Sequence, residues 1–308
     1  MKCYPVIIPT LNRYEHFRAC VESLAKCKYA DRTELIIGLD YPAKESHFDG
    51  YLKIKNYLPE ISGFAKVTVF ERTENLGAGK NNQALFDYAF SLNECVILSE
   101  DDNVFAYTFL EFVNSALETY KDDFSIGSIC GFTPEAQYNR NVDVLLSPDA
   151  SAWGAGRWRS RLGGIYKVDI ATGKAILCSF RKSMKVLRTY PMCLAMLIGM
   201  CRKNVLHGDV VRTASNIVNG ISQAKPGVSL VRNMGHDGSG LHCGTDSSNF
   251  DNQELSDRRS YIVSETSTKA PVSSTELFNL GMEKRGFWAY YATARILLSY
   301  LRYRISSK

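Results

Sequence analysis

A chain of 308 residues, 45% hydrophobic and 22% charged, lies in the ordinary globular range; it is long enough to bury a large core and is neither disordered nor fibrous in composition. The formal net charge of +5 is modest, and the basic residues are spread along the chain apart from concentrations at 157–161, 181–188 and the C-terminus, which is too little to argue for nucleic acid. Nine cysteines, an odd number without a C-x-x-C pair and partly set in apolar runs, read as reduced core thiols.

The chain opens with a strand-like run at Pro5 to Ile8, too short and too interrupted by proline for a secretory signal. Further strand-like runs follow at Leu35 to Leu39, Lys66 to Phe70 and Val96 to Leu98. Between them, apolar residues recur at helical spacing over Glu15 to Cys27, Tyr51 to Leu58 and Asn82 to Ser91. Strand and helix in alternation predict a parallel sheet covered by helices, whose strands end on one common edge and line one cleft.

The residues that follow those strands are polar in every unit: Thr10-Leu11-Asn12-Arg13, Asp40-Tyr41, Arg72 to Gly77, and Glu100-Asp101-Asp102. Three adjacent acids at a strand terminus repel one another unless a cation or a hydrogen-bonding substrate offsets them, and a hard divalent cation carrying phosphates is the natural partner. The same acids also suit a turn or a helix cap before Thr108 to Val113, and the two roles are compatible. With Arg13, Arg72 and Lys80 near acids, the edge suits a nucleotide: carboxylates for ribose, base and metal, cations for phosphate. Gly77-Ala78-Gly79-Lys80 is not a phosphate loop, because Glu74 and Asn81 stand where Gly and Ser or Thr are required; Asn82 likewise breaks G-x-G-x-x-G.

The second half is less regular. Ile126 to Phe132 reads as a strand, and 151–161 as a glycine-loosened loop in which Trp153 is either a sugar-stacking surface or core. The apolar stretch Met192 to Cys201 is about half the ~20 residues that span a bilayer. His242, in a glycine-rich segment from 232 to 246, either completes a metal site begun by Asp102 or serves as a hydrogen-bonding residue. Residues 246–276 are rich in Ser, Thr, Asn and Asp and read as a surface loop. The aromatic and arginine-rich segment Phe287 to Ile305 reads as a helix, lying in a membrane interface or docked on the core.

Taken in order, Val6 to Arg13, Asp40, Asn75-Leu76-Gly77 and Glu100-Asp101-Asp102 resemble the nucleotide-binding half of GT-A-fold glycosyltransferases, and the segment from His236 to Cys243 resembles the closing loop of bacterial family-two relatives. Glu100 to Ala106 followed by Phe109 to Phe112, with Ser151 to Gly154 and Gly208 to Arg212 further on, resembles the N-acetylglucosaminyltransferase I type. The resemblance implies a GT-A, Rossmann-like α/β fold: a mixed, mostly parallel sheet flanked by helices, with an acceptor-side lobe and a C-terminal helix. Its parts are a transferase domain at 1–245, split into a nucleotide half at 1–105 and an acceptor half at 106–245, then the loop 246–276 and an amphipathic helical segment at 277–308.

The activity implied is metal-dependent, inverting transfer from a nucleoside diphosphate sugar, UDP favoured, to a glycan or lipid-linked acceptor in bacterial surface polysaccharide or lipopolysaccharide synthesis. Asp102, with His242, would hold Mn²⁺ or Mg²⁺, and Glu100 and Asp101 the ribose and donor sugar. Asp40 would meet the base, and Thr10, Asn12, Arg13, Arg72, Asn75 and Lys80 the rest of the nucleotide. Trp153 and Gly154 would face the acceptor, and Asp209 would be the catalytic base, with Asp237 or Asp246 as substitutes. A chain of this kind is expected in the cytoplasm, peripheral on the inner membrane face. A sugar nucleotidyltransferase and a non-catalytic carbohydrate-binding or membrane-docking module are the alternatives; the first is disfavoured because Pro9 to Arg13 replaces the glycine-rich loop such enzymes place after the first strand.

Overall fold

Val6, Ile7 and Ile8 are fully buried, as are Leu35 to Ile37, so these β-branched and aliphatic runs form strands covered on both faces. The computed structural model describes residues 1–238, 252–282 and 285–306. Its first half alternates as the apolar runs predict: β1 (Val6–Thr10), α1 (Tyr14–Ala25), β2 (Glu34–Leu39), α2 (Phe48–Tyr57), β3 (Lys66–Glu71), α3 (Gly77–Leu92) and β4 (Cys95–Leu98). Then come β5 (Asn103–Phe105), α4 (Phe109–Thr119), β6 (Ile126–Cys130), β7 (Val144–Ser147) and β8 (Ala155–Trp158). Four helices follow, α5 (Ile170–Cys178), α6 (Phe180–Thr189), α7 (Pro191–Lys203) and α8 (Gly208–Asn219). The chain ends with β9 (Ser222–Pro226), β10 (Val231–Asn233), β11 (Lys269–Pro271), α9 (Ser274–Asn279) and α10 (Phe287–Ser306).

Nine strands make one sheet in the order β11-β7-β9-β6-β8-β4-β1-β2-β3. The first four strands are mutually parallel; β8 runs antiparallel to both β4 and β6, and β7 antiparallel to β9. A separate ribbon pairs β5 with β10, Asn103 opposite Asn233, and clips the segment after β4 to the segment after β9. A second apolar cluster, made by α5 to α8 and α10, stands beside the sheet core.

Three expectations change. Residues 155–158, expected within a loop, are a strand: a Cβ on Gly156 would lie 2.9 Å from Val113 Cγ1, so its glycine serves close packing of α4 on the sheet. The described part of 246–276 is not a surface loop throughout, since Tyr261 and Val263 are buried and Lys269–Pro271 extends the sheet beside β7. Buried Glu111 fastens it, accepting from Tyr261 N at 2.6 Å and pairing with Lys28 at 2.5 Å. Finally, Gly77 to Lys80 form the first turn of α3 rather than a loop before a helix at Asn82.

Candidate functional site

Parallel pairing of β1 with β4 brings the end of each to one edge, so Thr10 and the acids after Leu98 meet. Thr10 Oγ1 donates to Asp101 Oδ2 at 2.9 Å, and Arg13, at the start of α1, donates to Asp101 Oδ1. Arg13 Nη1 also stands 2.8 Å from Asp102 Oδ2, so one guanidinium bridges both carboxylates. Burial drives the Asp101 carboxyl above its ordinary value, with Arg13 opposing it and Asp102 adding to it. Burial opposes the charge on Arg13, but the two acids more than offset it and raise its pKa.

Asp102 is held from the far half of the chain. Asn233 Nδ2 donates to its Oδ1 at 2.6 Å, and Met234 N to its carbonyl at 2.8 Å. The chain then passes so close that a Cβ on Gly235 would lie 2.0 Å from Asp102 Oδ2. Asn233 and Gly235 are contributors that sequence reasoning missed; the only signal was a glycine-rich segment, which does not say where it lands.

Glu100 points the other way. Trp153 Nε1 donates to its Oε2 at 3.0 Å, while burial, then Asp102, Asp209 and Asp101, push its carboxyl up to about 8. Trp153 meets Phe132 edge-on at 4.5 Å and His236 at 5.8 Å. Gly154 is buried with φ +69°, and a Cβ there would strike Phe109 at 2.6 Å, so its glycine serves the turn into β8. Asp209 lies in the first turn of α8, where its Oδ2 accepts from Ala152 N at 3.1 Å. Burial raises its pKa, against the pull of Arg157 and Arg212.

The remaining predicted residues form a second group along the edge. Buried Asp40 accepts at Oδ1 from Tyr41 N and Leu76 N, each at 2.9 Å, and Asn75 donates to Tyr41 O at 2.5 Å. Arg72 Nε donates to Asn81 Oδ1 at 3.0 Å, Lys80 is exposed, and the Asn12 carbonyl lies against Gly50 of α2. Asp237 pairs with His16 at 3.0 Å on the surface, while His242 and Asp246 lie outside the described residues.

Among the described residues no three His, Cys, Asp or Glu side chains gather as a ligand set. Cavities of about 310 Å³ beside Ser23 and Tyr107 and about 410 Å³ beside Lys174 and Tyr303 lie away from the strand edge. The edge itself offers hard carboxylate oxygens at Asp101 and Asp102, whose charge a single cation, Arg13, offsets only in part. Such a pair suits Mn²⁺ or Mg²⁺ taking its other ligands from phosphate and water.

Residues 6–152, just under half of the chain, match the family model described as glycosyl transferase family 2. No curated protein matches the chain by sequence. Among solved structures, the mannosyltransferase PcManGT from Pyrobaculum calidifontis, in complex with GDP-Man and Mn²⁺, is 14% identical over 70% of this chain and 69% of its own, with a TM-score of 0.40. TarS 1-349 of S. aureus, in complex with UDP-GlcNAc, is 14% identical over 99% of this chain and 73% of its own, with a TM-score of 0.37. Against a second TarS structure this chain spans 44% of the length, at 15% identity and a TM-score of 0.35.

Proposed function

We propose that this chain, whose residues 6–152 match the glycosyl transferase family 2 model, moves a sugar from a nucleoside diphosphate sugar to a glycan or lipid-linked acceptor, with inversion at the anomeric carbon. The observation that carries the reading is the convergence of Thr10, Arg13, Asp101 and Asp102 at one strand edge, with Glu100 and Trp153 beside Asp209.

Asp102, with Asp101, would hold Mn²⁺ or Mg²⁺, which when bound supplies positive charge for the departing diphosphate. Arg13 shares that anionic ground. Glu100 and Trp153 position the donor sugar, and Asp40 with the Asn75–Tyr41 turn faces the base; Arg72 and Lys80 serve the phosphate side. Asp209 takes the proton of the attacking acceptor hydroxyl, a task its carboxylate can perform once within hydrogen-bond reach. A single attack on the face opposite the leaving group inverts the configuration.

The setting we infer is the cytoplasmic side of a membrane, in bacterial surface polysaccharide or lipopolysaccharide synthesis. Among the described residues eight cysteines are free, which suits a reducing compartment. No described helix is long and apolar enough to cross a membrane. α10 instead has two faces: Ile296, Tyr300 and Tyr303 dock on the helical cluster, while Phe287, Tyr291, Leu298 and Ile305, at helical spacing on the opposite side, are exposed. Exposed Arg295 and Arg302 flank that stripe, a composition that suits an interface with anionic lipid.

The reading is tested by incubating the protein with UDP-, GDP- and dTDP-sugars and Mn²⁺, and following hydrolysis or transfer. Release of nucleotide from one of them is expected, and its survival in Asp102→Ala would sink the metal role. Product NMR showing retention at the anomeric carbon would overturn the single displacement.

A further inference from the structure

Two arginines behind Asp209 have no task in the reaction just described. Arg157 leaves β8 on the α3 side, its guanidinium 5.3 Å from the centre of the Phe86 ring. Arg212 stands one turn after Asp209 on α8 and is only 8% exposed. Among the described residues neither guanidinium has a hydrogen-bond or ion-pair partner, and Nε of each is buried without an acceptor. The two lie close enough for each charge to act on Asp209 and for Arg157 to depress Arg212, which burial and that repulsion push down to about 9.

Another buried cation in this fold is treated differently. Lys225 is fully buried and is matched by Asp149 at 2.5 Å, which Ser147 also supports. Two guanidiniums near one carboxylate that neither pairs with, and which itself takes a backbone N–H from Ala152, leave an excess positive charge and, at each Nε, an unused donor away from water. An anionic group arriving between them would offset that charge and take up the unused donors. Guanidinium forks match phosphate and carboxylate oxygens in shape as well as in charge.

We propose that Arg157 and Arg212 form a subsite for a phosphate or carboxylate group held beside the reacting hydroxyl. The inference rests on the transferase reading and on Asp209 as its base. The anion is borne either by the acceptor, next to the hydroxyl that is glycosylated, or by the transferred sugar as a carboxylate. Seating it would also cancel the pull of both arginines on Asp209, so the base gains proton affinity when the anionic group is in place.

The experiment uses the full chain saturated with UDP and Mn²⁺, so that the diphosphate ground is filled, and titrates methyl phosphate by calorimetry. Binding that weakens about tenfold or more in Arg212→Gln and in Arg157→Gln, the loss of a charged hydrogen-bonding fork, is the expected result and assigns the anion to the acceptor. Tighter binding of UDP-glucuronate than of UDP-glucose, with the preference lost in Arg212→Gln, supports the subsite and assigns the anion to the donor sugar. Absence of both effects in the wild-type protein overturns the proposal whether or not the variants fold, as does methyl phosphate binding indifferent to both arginines. If UDP itself fails to bind, the donor reading falls separately, and the arginine dependence of methyl phosphate binding without nucleotide still decides the subsite.

Discussion

Arg13 Nη1 stands 2.8 Å from Asp102 Oδ2, so the acid proposed to hold the metal already carries a cation from its own chain. Arg13 also engages Asp101, and a divalent ion arriving alone must compete with both ion pairs. A nucleotide arriving with the ion gives the guanidinium phosphate oxygens to turn to. Arg13→Gln is therefore expected to raise the Mn²⁺ affinity of the nucleotide-free protein by about tenfold, the equivalent of one charged hydrogen bond. Free Mn²⁺ measured by electron paramagnetic resonance checks this, and an unchanged or weaker affinity would show that Arg13 is no competitor.

Gly235 closes over the same carboxylate. A methyl group there would sit 2.0 Å from Asp102 Oδ2, and the chain just before it is pinned by the Asn233 and Met234 contacts to Asp102. Gly235→Ala must displace either the backbone that follows β10 or the acid. Mn²⁺-dependent binding of the donor nucleotide should fall at least about tenfold, as expected when a charged ligand is moved out of place. The melting temperature should change little, because the loss is local.

Asp209 carries the pH dependence. Its folded pKa is raised by burial, so the native state keeps this proton to higher pH than the unfolded chain does. The group's contribution to stability therefore declines as pH rises from the ordinary carboxylate value to the raised one. Asp209→Asn should gain melting temperature relative to wild type across that interval and abolish transfer while the donor still binds. The acid limb of the wild-type rate profile should lie above the ordinary carboxylate range, and a limb at or below that range would point to another base.

The Asp149–Lys225 pair is a purely structural counterpart. Burial works against the Asp149 carboxylate, but Lys225, Ser147 and Gln137 outweigh it and hold its pKa below the ordinary value. Its stabilisation is present above the unfolded pKa and is lost as pH falls through the depressed one. Asp149→Ala leaves Lys225 buried and unpaired, and should cost about 3–5 kcal/mol in chemical denaturation at neutral pH. A loss below about 1 kcal/mol would mean that Lys225 finds water.

Removing α10 outright would confuse membrane binding with folding, because Tyr300 is fully buried and donates to Leu177 O at 3.1 Å. The exposed stripe can be changed alone: Phe287, Leu298 and Ile305 are 75%, 56% and 78% exposed. Replacing the three with serine should release the protein from anionic vesicles in a sedimentation assay with the melting temperature unchanged. Retention on the vesicles would move the membrane contact to another surface.

The legible parts of this protein are those whose physics is local. Apolar period, turn residues and acids at a strand end are read within a few neighbours, so β1 to β4, α1 to α3 and the Glu100 to Asp102 cluster stand in the chain as expected. Gly156 shows where such reading fails, since a glycine chosen for the approach of α4 looks the same as one chosen for a loop. What Asp102 touches was decided elsewhere: the β5–β10 ribbon joins Asn103 to Asn233, and strand register across so long a separation has no local signature. The grouping of Arg157 with Asp209 and Arg212 is of the same kind: the last two are neighbours one turn apart on α8, but a β8 residue joins them only by packing. By itself the sequence determined that acids and cations gather at one strand edge. Only the tertiary structure decided which cation each acid holds and which arginines are left without one, because charge pairing depends on distances that packing alone sets.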